Sequence, residues 1–227
     1  MPASRRQFLE RIAGSAVMFG AVPLGIDNAL SALGQPAAER APDEFDLTWV
    51  QRITGKHKAV FDVPELDSAH GVWRASVWKN QYHNVLGIPL SDLSAVLVLR
   101  ANGIALAMQQ SFWDAYGVGK AKKVMHPVTQ QPTDRNPALL SSERGEVSEV
   151  RSAYALDKFI AGGGIALACN AAFNDCIQLI IDKDGMSRED ARKKAVSLLV
   201  PGVILQPSGV FAAIRAQEAG CAYLRSS

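Results

Sequence analysis

Only three cysteines stand in this chain, Cys169, Cys176 and Cys221. They are too few and too scattered for a disulfide framework or a paired-cysteine zinc site, and an odd number leaves at least one thiol unpaired within the chain. Histidine is as scarce, and no H-x-x-x-H pair exists. His70 and His83 fall on one predicted helix, but their spacing puts them about 220° apart around it, so they share no face. A mononuclear site from His70 or His126 with Cys169, or haem held by one histidine or the cysteine, stays open. Long Lys/Arg runs are lacking and the net charge is +2, which leaves no case for a nucleic-acid partner. No apolar run is long enough for a stable membrane span. The glycine run Gly162-Gly163-Gly164 precedes a predicted strand, not a helix, so it is a turn and not a phosphate cradle. No G-x-S-x-G element is present, and nothing else points to a hydrolytic triad.

Among what is present, a hydrophobic content of 48% over 227 residues supplies a globular core. At the start, Ser4-Arg5-Arg6-Gln7-Phe8-Leu9 matches the twin-arginine export pattern. A moderately apolar stretch follows from Ile12 to about Ile26, and Asp27 interrupts it. Residues 1–34 therefore read as a twin-arginine signal peptide, with cleavage near Ser31–Leu33 or Pro36–Ala38, and the expected location is the periplasm. Residues 35–56 are polar and Pro-containing and read as a linker. A domain over 57–227 follows.

In that domain His57–Val63 predicts a first strand ended by Pro64, then a helix over 69–86 closed by Gly87. Leu93–Leu99 is apolar throughout and predicts a second strand. A helix is expected over 104–116, an irregular loop over 117–145 and a helix over 146–160. A third strand runs up to Cys169, and a helix over 170–181 follows. Ser187-Arg188-Glu189-Asp190 resembles a capping box. A fourth strand over 201–207, a helix over 209–219 capped by Ser208 and a last strand over 221–225 complete the chain. Strands alternating with helices predict an α/β fold in three layers, a mostly parallel sheet with helices on both faces.

The strand ending in Cys169-Asn170 and the tail LVPGVILQPSGVFAAIRAQEAGCAYLRSS resemble the DsrE/DsrF-like superfamily. The resemblance runs mainly from Gly162 to Leu224. It implies a flavodoxin-like α/β fold, self-association as a homotrimer or homohexamer, and, from the family's sulfur-relay members, sulfur carried as a persulfide on a cysteine. Cys169 falls where several members have that cysteine.

From the residues themselves, Cys169 stands at the carboxyl end of a strand and the start of a helix, where ligands collect and where the positive helix end favours a thiolate. A reactive thiol handling a small sulfur compound or a thiol partner is one reading; a small buried hydrophobe is the other. Arg100 and Asn102 follow the second strand, Asn170 the third, Gln206 and Ser208 the fourth. In a parallel sheet all five share one edge with Cys169. Arg100, Asn102, Asn170 and Ser208 are the candidate ligand-binding residues, with Arg100 suited to an anion such as a sulfur oxyanion. Surface ion pairing for Arg100 and simple capping for Ser208 are the plainer roles. Cys176 lies two turns further along the same helix, about 10 Å from Cys169 and beyond disulfide reach, and reads as structural. A non-catalytic binding module for a small ligand, metal or haem is the alternative function.

Overall fold

The structure is a computed structural model that describes residues 45–226. The expected signal peptide and the first part of the expected linker, through residue 44, lie outside the described residues. Strand β1 (His57–Val63) and β2 (Leu93–Leu99) have the bounds their apolar runs predict, and helix α1 (His70–Leu86) joins them. Gly87 closes α1 at φ +67°, donating its N–H to the carbonyl of His83, in the left-handed conformation that glycine adopts without strain.

Helices α2 (Gln110–Tyr116), α3 (Val118–Ala121), α4 (Glu149–Ser152) and α5 (Leu156–Ala161) follow. Strand β3 (Ile165–Cys169) leads to α6 (Asn170–Asp184) and α7 (Arg188–Ser197). The chain ends with β4 (Ile204–Gln206), α8 (Gly209–Glu218) and β5 (Ala222–Arg225). Ser187 and Ser208 cap α7 and α8 as expected, accepting the N–H groups of Asp190 and Phe211.

All strand pairs are parallel and the order is β4-β3-β2-β1-β5. Right-handed crossovers stepping from β1 to β4 put their helices on one face, and the reversal from β4 to β5 puts α8 on the other. The burial pattern agrees. On the first face Phe61, Leu97, Leu99, Ala166 and Ala168 pack with Val72, Phe112, Trp113, Phe173 and Ile177. On the second, Val60, Val96, Val98, Ile165 and Leu167 pack with Trp49, Ala212 and Ala216. Alternate residues of each strand thus serve opposite layers, and β2 is buried at every position.

Three differences from the sequence reading have physical causes. The helix expected over 104–116 is a 3-10 turn over Ala101–Ala107 and then α2. Tertiary hydrogen bonds draw the chain out of helix between them: Met108 bridges Leu199, and the Asn136 amide donates to the carbonyls of Leu106 and Met108. The helix expected over 146–160 breaks into α4 and α5, with Ala155 extended between them. The packed unit also takes in residues that the sequence reading left in the linker. Thr48–Arg52 is a 3-10 turn, and Trp49 within it is fully buried.

The segment over 117–145 is tied down. It folds back through hydrogen bonds from His126 N–H to Gln131 and from Thr133 N–H to Val124, and Glu146 pairs with Arg135 and Arg144. Among the described residues no helix is long and apolar enough to cross a membrane.

Candidate functional site

The carboxyl edge of the sheet carries every candidate residue, but their side chains divide among separate neighbourhoods. Cys169 ends β3 and is paired in register with Gln206 at the end of β4. From these two positions the chain leaves in opposite directions, into α6 on the first face and α8 on the second. That divergence is the topological switch point of the sheet, where open α/β folds form their ligand crevice. The Cys169 sulfur accepts the Ala172 N–H at 3.4 Å and caps α6. The residue is 6% exposed.

Asn170 begins α6, and its side-chain oxygen accepts from Arg192 at 2.9 Å, which ties α6 to α7. Gln206 is fully buried; it accepts the Trp49 indole N–H at 2.9 Å and donates to the Asp46 carbonyl at 2.7 Å. The residues before β1 therefore lock onto the end of β4. The Ser208 hydroxyl accepts the Phe211 N–H at 3.1 Å and serves as the α8 cap.

Arg100 turns to β1, away from Cys169. Its Nε and Nη2 donate to the two carboxylate oxygens of Asp62 at 2.6 and 2.8 Å, and the Tyr223 hydroxyl donates to Asp62 at 2.6 Å. Burial alone would raise the Asp62 carboxyl; the hydrogen bonds from Arg100 and Tyr223 and the charges of Arg100 and Arg225 outweigh it and hold the group below its ordinary value. Arg100 is correspondingly held above its ordinary value, chiefly by that same hydrogen bonding. This cluster binds β1, β2 and β5 together at their carboxyl ends. A cavity of about 240 Å³ opens beside it against α8. Sequence reading passed over Asp62 and Tyr223. The signal for Asp62 was legible, since it is a lone acid inside the apolar run of β1.

Asn102 lies on the first-face side. It donates to Glu65 and accepts from Lys122, both at 3.1 Å. Beside it a cleft of about 270 Å³ lies between the 101–107 turn, α3 and α6, with Cys176 in its wall. Burial pushes the Cys176 thiol up to about 12, and the charge of Asp175 adds to the effect. The thiol is neutral at physiological pH and is no nucleophile. Burial likewise pushes Cys221 up to about 11. All three cysteines are free thiols. Among the described residues no three of His, Cys, Asp and Glu gather as metal ligands; His70 and His83 hydrogen-bond to the carbonyls of Asp67 and Ile88.

The fold is that of a three-layer α/β protein of flavodoxin-like architecture, with Cys169 and Gln206 both buried at its switch point. No protein-family model matches the chain, and no curated protein matches its sequence.

Proposed function

We propose that this protein handles sulfur through Cys169, as a persulfide or thiol carrier, in the periplasm to which its twin-arginine motif would direct it. The observation that carries this reading is the position of Cys169 at the switch point of the sheet, with an amide of the first turn of α6 aimed at its sulfur. Such helix ends stabilise negative charge on a neighbouring group.

The step is a transfer between like bonds. The Cys169 thiolate attacks the terminal sulfur of a donor persulfide R–S–SH. The donor S–S bond breaks as the new one forms, R–S⁻ leaves and is protonated, and Cys169 holds the sulfur as a persulfide. No oxidant is consumed. The test is incubation of the folded protein with a small persulfide donor, followed by intact mass and peptide mapping. A gain of one sulfur on Cys169, lost in Cys169→Ser and kept in Cys176→Ser, is the expected result. An unmodified Cys169 thiol after treatment would refute the reading.

The family resemblance further implies a homotrimer or homohexamer. Exposed apolar residues on α8 and β5, Val210, Ile214 and Leu224, support self-association. Sedimentation as a monomer at all concentrations would remove it. A second reading, a binding module without covalent chemistry, is favoured by the cleft beside Asn102. Under it, Cys169→Ser keeps full function in the host.

A further inference from the structure

The cleft between the 101–107 turn and α6 is not used by the chemistry assigned to Cys169. Its floor is apolar, with Phe112 fully buried beneath it and Leu179 at its wall 40% exposed. Its volume of about 270 Å³ lies at the small end of ligand sites. The charges around it are unequal. The one ammonium, Lys122, is drawn to the side-chain oxygen of Asn102, whose amide reaches on to the Glu65 carboxylate. On the opposite wall stand Asp175 and Asp182. The Asp175 side chain is exposed and, among the described residues, holds no hydrogen bond or ion pair. Cys176 beneath it is a neutral thiol, so the wall neither adds charge nor captures a ligand covalently. Carboxylates thus outnumber the lysine over an apolar floor, which repels anions and leaves a cation best accommodated.

We propose that this cleft binds a small organic cation, an amine on an apolar body, with the body over Phe112 and Leu179 and the ammonium against Asp175. The proposal rests on the binding reading of the cleft and is independent of Cys169.

Isothermal titration of the full chain with three matched probes, hexylamine, hexanol and hexanoate, tests it. Hexylamine binds most tightly and hexanoate most weakly. Asp175→Asn weakens hexylamine about fivefold, the size of an exposed ion pair, and leaves hexanol unchanged. Leu179→Trp, which fills the mouth, weakens hexylamine and hexanol together. Hexanol or hexanoate binding as tightly as hexylamine, or hexylamine indifferent to Asp175→Asn, overturns the cation while the cleft reading survives. Binding of none of the three, or binding indifferent to Leu179→Trp, overturns the cleft reading itself.

Discussion

The two faces of the sheet are covered by different means. The first carries α1, α2, α6, α7 and the 101–107 turn, so each large side chain there has neighbours from several elements. The Trp113 indole, for example, donates to the Ala105 carbonyl within that layer. The second face has α8 and the short segment around Trp49. The α8 contacts are alanines, Ala212 and Ala216, which let the helix lie close to the sheet and leave the remaining area to Trp49. A thin layer concentrates its stability in few residues, and the switch point lies on the border between the two coverings.

The sharpest test of this contrast is Trp49→Ala against Trp113→Ala. Each removes a fully buried indole and costs about 4 kcal/mol in urea denaturation. Trp49→Ala also leaves the Gln206 side-chain oxygen without its donor and frees the 45–52 segment, which becomes sensitive to limited proteolysis. In Trp113→Ala that segment stays protected. Equal protection in both variants would break the comparison.

Next in size is the cluster at the carboxyl ends of β1, β2 and β5. Arg100→Met leaves the buried Asp62 carboxylate without its ion-pair partner and costs about 3 kcal/mol. The sign of the pH dependence follows from the lowered Asp62 carboxyl. Its contribution is fully present above the ordinary value of 3.8 and is lost as pH falls through the lower folded value. Acid denaturation of the wild type therefore shows a fall in stability below about pH 4 that is smaller in Arg100→Met.

Gly209→Ala should cost less, about 1–2 kcal/mol, because the added Cβ would stand 2.6 Å from Arg100 Cδ and force that side chain to shift. A thermal-shift loss in Gly209→Ala that vanishes in an Arg100→Gly background, which removes the Cβ, Cγ and Cδ it would meet, would trace the cost to that contact. The smallest effect is Ser208→Ala, about 1 kcal/mol for the lost α8 cap, with Ser208→Thr retaining most of it.

Strands β1 and β2 were legible to the residue because each is an apolar run ended by a residue that stops it, Pro64 after β1 and Arg100 after β2. The caps Ser187 and Ser208 were legible because their signal lies within three residues. The break at Met108 was not, since its cause is an amide from Asn136 and a bridge to Leu199, far along the chain. The candidate site was legible in part. Parallel topology puts Cys169 and Gln206 on one edge as expected, and the strand order makes them neighbours. It does not bring Arg100 or Asn102 to them, because their side chains are claimed by Asp62, Glu65 and Lys122.

By itself, then, the amino-acid sequence determined the α/β class, the strands and the edge on which Cys169 lies, because alternation of apolar runs, turns and caps is local information. Only the tertiary structure decided which residues meet along that edge. Strand order decides it: pairing of β3 with β4 joins Cys169 to Gln206, pairing of β1 with β2 sets Arg100 on Asp62, and the reversal from β4 to β5 adds Tyr223. Such pairings depend on contacts between residues up to 161 positions apart, and no local pattern encodes them.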